Sequence, residues 1–404
     1  MKILLTLFVS LSMLLASCGP AAPATVMVPA QTETTVTPAM VTVPAPTETT
    51  VASATALSPA ETSSPQPSLT PLYPPEGYGP SNFPSDVNPL TGLHVANPAL
   101  LDRRPMIIKV SNLPRSIRPQ WGLSLADIVF EYYTEVGGTR FAALFYGNNA
   151  DRVSTIRSAR FMDVHLIRGY KAVFAFGSAY SKVIDRLYSS EFADRLVLES
   201  GSNTPLKRHD PNGANYLVVN TAELSAYITA QGVENGRQNL EGMSFNSTVP
   251  TAGQPGTQVA VRYSGSIYNR WDYDTATGKY LRFSDTQNDF DKNNEQYAQS
   301  TDRLTGQPIA FDNVVVLFVI TDHYNVSPEV VDIQFLGTGT AYAFRDGQAY
   351  QIKWQRNNTD VVSLTNLDGT PFPFKPGTTW FEVMGAGSQA QQKDPTWRFI
   401  HLMP

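Results

Sequence analysis

The sequence predicts an α/β domain with a mixed sheet and flanking helices, followed by an all-β or mainly β domain, both preceded by a long segment that does not fold. Three observations lead to this prediction. Pro, Thr, Ala, Val and Ser dominate residues 19–80, strand-like and helix-like apolar runs alternate from residue 105 onward, and short strands separated by turn signals fill residues 258–354. The 404 residues are enough for two ordinary domains.

The charge balance argues against a nucleic-acid-binding protein. The chain has 30 Lys and Arg against 35 Asp and Glu, a net charge of -5, and 16% charged residues. Such a chain has no strong positive field to attract phosphates. Its single cysteine can form neither an intramolecular disulfide nor a cysteine-based zinc site, so packing must hold the core together.

The N-terminus predicts export. Met1-Lys2 is a short positive region, and the apolar run from Ile3 to Leu15 has the length of a signal-peptide core and is too short to span a bilayer. The run ends in Leu15-Ala16-Ser17-Cys18, which resembles a bacterial lipobox. Residues 1–17 are therefore predicted to be a lipoprotein signal peptide, and Cys18 to carry the acyl chains that anchor the protein outside the cell.

Residues 18–84 are predicted to be a disordered tether. Residues 19–80 contain four Glu and no Lys or Arg, and Thr-Glu-Thr-Thr-Val occurs at both 32–36 and 47–51. A coil of about 60 residues reaches very roughly 40 Å, and proline extends it further, so the segment can hold a domain clear of the membrane. A glycosylated stalk would have the same mechanical role, and composition leaves both alternatives open.

The first domain is assigned to residues 85–250. The pattern predicts strands at 105–110, 128–135, 139–146, 152–156 and 172–176, a helix-like segment at 122–127, and helices at 161–168 and 179–188. Gly169 is the predicted C-cap of the first of these helices. Gly137-Gly138 predicts a two-residue hairpin that places Glu135 opposite Arg140 across the strands.

An arginine-rich turn is the candidate site of this domain. Arg157, Ser158 and Arg160 follow one strand, with Ser158 as the predicted N-cap of the next helix, while Gly177 and Ser178 follow the next strand. Strand ends followed by helix starts present free backbone N–H groups, and paired guanidiniums bind phosphate or carboxylate. The opposing interpretation is structural, with the same arginines forming ion pairs.

Sharper catalytic and metal motifs are missing from the sequence. It contains no Gly-x-Ser-x-Gly, no Gly-x-x-x-x-Gly-Lys and no His-Glu-x-x-His, and its five histidines are scattered. Asp289 opens a calcium-like loop, but Asn294 replaces the turn glycine and Ser300 replaces the bidentate glutamate. We therefore predict no cofactor and no metal site, and the sequence does not decide whether the protein is an enzyme.

The second domain is assigned to residues 255–385 and the tail to 386–404. Strands are predicted at 258–263, 271–274, 279–283, 313–321, 330–336, 339–344 and 348–354, with hairpin turns at 274–278, 345–347 and 366–370. The aromatic residues of these strands could line a carbohydrate platform, but alternating aromatics usually belong to the core. Within the tail, residues 397–400 are expected to dock.

The chain resembles the YerB-type bacterial lipoprotein family over about residues 85–385. In the first half the motifs are Asn88-Pro89-Leu90-Thr91-Gly92-Leu93, Arg104-Pro105, Arg118-Pro119-Gln120, Ala126-Asp127-Ile128-Val129, Arg157-Ser158-Ala159-Arg160 and Asn215-Tyr216; in the second they are Tyr273-Asp274, Asn313-Val314-Val315-Val316, Arg345-Asp346-Gly347 and Thr379-Trp380. The resemblance implies an anchored lipoprotein with a two-part domain of unknown function. The sequence departs from the family at Glu135-Val136-Gly137-Gly138 and at Phe176-Gly177-Ser178, where a histidine is common.

A more local pattern is similar to the LytR-CpsA-Psr glycan transferases, over about 30 residues. That resemblance would place Arg140, Arg157 and Arg160 on a pyrophosphate, with Asp127, Glu131 or Glu135 near a metal. The leading hypothesis is therefore an extracytoplasmic, membrane-anchored lipoprotein that binds an anionic cell-envelope ligand, either a lipid-linked pyrophosphate or an acidic glycan.

The ligand residues under this hypothesis are predicted to be Arg140, Arg157, Ser158, Arg160, Glu131, Glu135, Gly177 and Ser178. The alternative is a non-catalytic module that interacts with a protein or with peptidoglycan. In that alternative the arginines form a structural knot with Glu131 and Glu135.

Overall fold

The structure, a computed structural model, describes residues 73–199, 204–209 and 216–403. Cys18, the repeated Thr-Glu-Thr-Thr-Val segments and Asn215 lie outside these ranges. The described residues belong to one compact unit. Within the described ranges, no helix is both long and apolar enough to cross a membrane.

The first half combines strands with three α-helices. Its elements are β1 (Val87–Asn88), β2 (Leu93–His94), β3 (Met106–Ser111), β4 (Ile128–Tyr133), β5 (Thr139–Phe145), α1 (Phe161–Tyr170), β6 (Val173–Phe176), α2 (Ser181–Tyr188), β7 (Leu196–Leu198), β8 (Lys207–Arg208), β9 (Leu217–Val218) and α3 (Thr221–Ala230), with short 3-10 helices at Pro98–Asp102, Arg115–Ile117, Leu123–Leu125 and Ala193–Arg195.

The second half contains strands without α-helices in the described residues. They are β10 (Gln254–Pro255), β11 (Gln258–Arg262), β12 (Tyr268–Asp274), β13 (Lys279–Asp285), β14 (Tyr297–Gln299), β15 (Ala310–Phe311), β16 (Asn313–Val319), β17 (Thr321–Asn325), β18 (Val330–Ile333), β19 (Gly337–Arg345), β20 (Gln348–Arg356), β21 (Ser363–Thr365), β22 (Thr379–Gly385), β23 (Gln389–Lys393) and β24 (Thr396–Ile400). An α/β half followed by a β-rich half is the fold class that the sequence predicts.

One 11-stranded sheet runs through both halves. Its order is β10-β20-β19-β16-β22-β4-β5-β3-β6-β7, with β21 paired to β20. The junction is the parallel pairing of β22 with β4, which sets Glu382 beside Glu131. Both strands are buried along their whole length, as expected for central strands covered on both faces.

The two faces of β4 have different neighbours. A seven-stranded sheet, β14-β13-β12-β11-β24-β23 with β15 on β13, covers the face that carries Glu131. Helix α1 covers the face that carries Tyr132, because successive side chains of a strand point to opposite sides. Between the sheets, the rings of Trp271 and Phe311 lie within 5.2 Å of Trp380 and form part of the core, which supports the core interpretation of the aromatics.

Both ends of the folded unit differ from the sequence prediction. Residues 73–84, predicted as the end of the tether, belong to the folded unit, since the Tyr78 N–H donates to the Phe245 carbonyl at 2.9 Å. In the predicted tail, β23 and β24 are regular strands. The docking expected of residues 397–400 is confirmed, because β24 lies in parallel beside β11 with Trp397 and Phe399 buried.

A turn and a strand of the first half also differ from the prediction. The β4–β5 register pairs Tyr133 with Thr139, so the connection spans residues 134–138 and is longer than the two-residue turn expected. Val136 and Gly137 both have positive φ there, which supplies the reversal. Residues 152–156 form isolated bridges instead of a regular strand.

The ends of α1 were predicted wrongly. Ser158 is not its N-cap: the helix begins at Phe161, Arg160 holds the cap position, and the Asp163 carboxylate accepts the Arg160 backbone N–H at 2.7 Å. Nor does Gly169 end the helix, which continues to Tyr170 with Lys171 as the C-cap in the left-handed region. The glycine serves close packing, since a Cβ there would lie 2.6 Å from the Asp360 carbonyl oxygen.

Candidate functional site

The arginine turn is fixed by backbone hydrogen bonds to the strands beside it. The Arg157 N–H donates to the Lys109 carbonyl at 2.9 Å, and the Ala159 N–H donates to the Ser178 carbonyl at 2.8 Å. The Gly177 N–H donates to the Arg157 carbonyl at 2.9 Å and so is not free for a ligand, contrary to the prediction. The turn is therefore held at the carboxyl ends of β3 and β6.

Four of the predicted residues line one small cavity. Arg157, Ser158, Gly177 and Ser178 surround a volume of about 110 Å³, together with residues that the sequence analysis did not single out, Ile156, Glu199, Arg208 and Leu217. The hydroxyls of Ser158 and Ser178 lie 2.7 Å apart. We call this cavity the arginine cleft.

Arg140 and Arg160 adjoin the cleft but are bound to a carboxylate. Arg140 Nη2 lies 3.2 Å from Glu135 Oε1, and Arg160 Nε donates to Glu135 Oε2 at 2.6 Å. Arg140 Nη1 also donates to the Ser158 carbonyl at 2.9 Å. The predicted pairing of Glu135 with Arg140 therefore exists, although the strand register that predicted it does not.

The guanidiniums of this region repel one another in partly buried surroundings. Burial lowers the pKa of Arg140 and of Arg160 to about 10. Burial also lowers the pKa of Arg157, and the positive charges of Arg140 and Arg208 lower it further. Arg208 in turn donates to Glu199 at 2.7 Å. Among the described residues, the cleft and its border thus carry four guanidiniums and the carboxylates of Glu135 and Glu199, and the charge of Asp163 raises the pKa of Arg140 and of Arg160 against the effect of burial.

A buried polar cluster that the sequence analysis missed lies beneath these arginines. Lys109, Tyr132 and Asp163 are each inaccessible to solvent, and their side chains contact one another, with Lys109 Nζ 3.2 Å from Asp163 Oδ1. Burial lowers the pKa of Lys109 to about 7, opposed by Asp163 and reinforced by Arg140 and Arg160. The available signal was a lysine in the middle of the apolar run of β3.

Glu131 does not belong to the arginine cleft. Its carboxylate accepts from Arg282 Nη2 at 2.8 Å, from Asn112 Nδ2 at 3.1 Å and from Thr139 Oγ1 at 2.8 Å, all on the face toward the second sheet. The predicted knot of arginines with both Glu131 and Glu135 is therefore wrong for Glu131 and correct for Glu135.

Glu131 instead has Glu382 as its neighbour, a residue that the sequence analysis also missed. Glu382 accepts from Trp271 Nε1 at 2.9 Å, and the Tyr263 hydroxyl lies 3.0 Å from its Oε2 and 2.9 Å from the Glu131 carbonyl. Burial, followed by the charge of Glu131, raises the pKa of Glu382 to about 8. A carboxyl in an otherwise apolar strand was the sequence signal.

The three carboxylates that the transferase-like pattern placed near a metal have separate partners. Asp127 accepts the backbone N–H groups of Tyr146 and Gly147 at 2.6 and 3.1 Å, whereas Glu131 and Glu135 bind the groups described above. The described residues contain no group of three or more His, Cys, Asp or Glu arranged to hold a metal ion. These three carboxylates therefore do not converge on one site.

The fold defines a two-part protein in which an α/β half and a β-rich half supply strands to the same sheet. Two family models match the chain in the same order: "Protein of unknown function (DUF3048) N-terminal domain" at residues 90–234 and "Protein of unknown function (DUF3048) C-terminal domain" at residues 259–381. Together they cover most of the chain.

A curated relative and a solved structure agree with the two models. The chain is 28% identical over 308 residues to "Putative lipoprotein YerB" of Bacillus subtilis (strain 168), an alignment that covers 73% of this chain and 85% of the relative. The crystal structure of the YerB protein from Bacillus subtilis matches with a TM-score of 0.62 and 25% identity, covering 74% of this chain and 96% of that one. The chain belongs to the YerB-type lipoprotein family and contains the two-part DUF3048 domain.

Proposed function

We propose that this lipoprotein is held outside the bacterial cell by acyl chains on Cys18 and binds an anionic group of a cell-envelope ligand in the arginine cleft. The observation that carries the proposal is that two guanidiniums, those of Arg157 and Arg208, and two serine hydroxyls line one small cavity. The positive charges of Arg140 and Arg208 lower the pKa of Arg157, so an anionic group bound in the cleft would be attracted by all three guanidiniums.

The size of the cleft limits the ligand group. About 110 Å³, lined by two serine hydroxyls and two guanidiniums, accommodates a phosphate- or carboxylate-sized group and is too small for a polyprenyl chain. The proposal therefore concerns the charged group of an acidic glycan or of a lipid-linked pyrophosphate and includes no chemical step.

The structural alternative is supported by a specific observation. Arg140 and Arg160 are both bound to Glu135, as expected if these charges only stabilise the β4–β5 turn. In a purely structural role, Arg157 and Arg208 would add stability but no affinity for anions.

Thermal unfolding of residues 69–404 with and without pyrophosphate tests the proposal. A ligand that binds only the folded state at about 100 times its dissociation constant adds about 2.7 kcal/mol. We expect this stabilisation in the wild type, a reduced effect in Arg157→Gln and Arg208→Gln, and an unchanged effect in Arg168→Gln, whose guanidinium binds Glu191 at 2.7 Å away from the cleft. Equal stabilisation of all four proteins, or none in any, would contradict the proposal.

The anchor has a separate test. Full-length chain should partition with membranes, and Cys18→Ser should release the folded part after export, because the mutated chain cannot be acylated. Membrane retention of the Cys18→Ser chain in mature form would contradict the lipid anchor.

A further inference from the structure

A second cavity lies between the two halves of the folded unit. Its volume is about 270 Å³, and its walls are residues 115–120 of the first half and β13, β14 and the residues that flank them in the second half. It shares no lining residue with the arginine cleft. Apart from Pro119 and Ala298, the side chains around it are polar or charged.

Two serine hydroxyls at this cavity present a hydrogen that has no protein acceptor. Ser284 Oγ and Ser300 Oγ lie 2.7 Å apart, and both are within reach of Arg282 Nη1. Because Arg282 donates to them, one hydroxyl hydrogen serves the bond between the serines, and the other has no hydrogen-bond acceptor among the described residues. The pair therefore offers a donor to a ligand.

Arg282 contributes no net charge to the cavity. Its guanidinium is 3% exposed and donates from Nη2 to Glu131 Oε2 at 2.8 Å, so its positive charge is balanced inside the protein. Its Nε has no hydrogen-bond partner in the described part of the chain. Arg282 therefore acts as a fixed support for the two serines.

The opposite wall carries one unit of excess positive charge. Arg115 and Arg118 both bind the Asp285 carboxylate, so two guanidiniums share one carboxylate. Arg115 also donates to Asn288 Oδ1 at 3.0 Å and to the Ser266 carbonyl at 2.7 Å. These three bonds use three of its five N–H groups, which leaves two for a ligand.

Neutral hydrogen-bonding groups complete the lining. Gln120 donates its amide to the Ser111 carbonyl at 3.1 Å, and its Oε1 accepts no hydrogen bond from the described residues. Gln299 and Thr301 also lie at the cavity, whose exposed surface is more apolar than polar and includes Pro119 and Ala298. Such a lining suits a ligand with several hydroxyls and a broad apolar face, as a sugar ring has.

We propose that this cavity binds a sugar acid, with its single carboxylate at Arg115 and the serine pair and its hydroxyls at Gln120, Gln299 and Thr301. The net charge of +1 matches a monovalent carboxylate better than a phosphate dianion, and the volume fits one monosaccharide residue. This second site is independent of the anion site in the arginine cleft.

Isothermal titration of residues 69–404 tests the proposal with matched sugars. The acidic probes are glucuronate and N-acetylmuramate, and the neutral probes are glucose and N-acetylglucosamine. We expect at least tenfold tighter binding of an acid than of its neutral counterpart, and at least tenfold loss in Arg115→Gln. Ser300→Ala should weaken the binding of the same acid.

Three variants make the outcome specific. Arg115→Gln leaves Asp285 bound to Arg118, so the fold should persist, and an unchanged unfolding temperature checks this. Arg270→Gln is the matched control, because Arg270 is partly exposed, lies outside the cavity and donates to Asp272 at 2.8 Å. It should bind the sugar acid like the wild type. Arg157→Gln should weaken the binding of pyrophosphate and leave the binding of the sugar acid unchanged, which separates the two proposed sites.

The proposal is overturned if neither acid binds at millimolar concentration, if the neutral sugars bind as tightly as the acids, or if Arg115→Gln binds the acid unchanged. Binding of the acid that is lost in Arg157→Gln instead would assign it to the arginine cleft.

Discussion

The paired carboxyls Glu131 and Glu382 make the stability of this protein depend on pH in a defined way. The pKa of Glu382 is about 8 in the folded chain, against an ordinary value of 4.5. Between these values the folded state binds one more proton than the unfolded state, so the free energy of unfolding falls as pH rises. The contribution is fully present below about pH 4.5 and is lost as pH passes through about 8.

The substitution Glu382→Gln removes this titration while preserving the hydrogen bonds. A protonated Glu382 can donate to the Tyr263 hydroxyl, which then donates to the Glu131 carbonyl 2.9 Å away, and it can still accept from Trp271. A glutamine amide can make the same three bonds. One pKa unit corresponds to about 1.4 kcal/mol. The free energy of unfolding of Glu382→Gln should therefore exceed that of the wild type by a few kcal/mol at pH 8.5, and the two should differ little at pH 5.

Urea unfolding of residues 69–404 at a series of pH values from 5 to 8.5 measures this difference directly. Glu234→Gln is the control, because the Glu234 side chain is 63% exposed. The difference in free energy of unfolding between this variant and the wild type should be constant with pH. Glu131→Gln should destabilise at every pH, because it leaves Arg282 buried without its carboxylate. A constant difference between Glu382→Gln and the wild type across the range would refute the assigned proton.

Three further predictions concern other parts of the fold. Gly169→Ala should destabilise the fold despite the helix propensity of alanine, because its Cβ would lie 2.6 Å from the Asp360 carbonyl oxygen. Gly387→Ala is the control and should be neutral, since a Cβ there meets no atom within 4 Å. Equal unfolding temperatures of the two variants would contradict this prediction. Lys109→Met should lower the free energy of unfolding by an amount on the order of 3 kcal/mol, because it leaves Asp163 without its cation. In a double-mutant cycle, adding Asp163→Asn should recover part of this stability, and strictly additive losses would argue against coupling. Glu135→Gln should change stability by about 1 kcal/mol or less, since Glu135 is 27% exposed, and should tighten pyrophosphate binding in the arginine cleft; weaker binding would show that Glu135 orders the arginines.

Periodicity predicted most of the fold because it records local burial. The alternation in β20 and the apolar run of β16 match the observed strands closely, and the turn residues at 345–347 mark the hairpin between β19 and β20. Helix ends were less predictable. Ser158 has the chemistry of an N-cap, but the Asp163 side chain in the first turn of α1 bonds to the backbone of Arg160 instead.

The candidate site divides in the same way. The sequence singled out Arg157, Ser158, Gly177 and Ser178 because they follow two apolar runs that were predicted as strands. The structure brings them to one cavity, although residues 152–156 are not a regular strand. It could not separate Glu131 from Glu135. The two carboxylates are four residues apart on or beside one strand, yet one is buried between two sheets and the other lies in a turn.

The sequence by itself determined the lipobox-like Cys18, the order of the two halves, most strands and the arginine turn, because each of these depends on residues close together in the chain. Only the tertiary structure decided that β22 completes the first half's sheet, that Glu382 meets Glu131 and that Arg282 balances this pair. These contacts join residues more than a hundred positions apart. Strand pairing and the burial of charge depend on which distant segments become neighbours, and local sequence patterns carry no record of that choice.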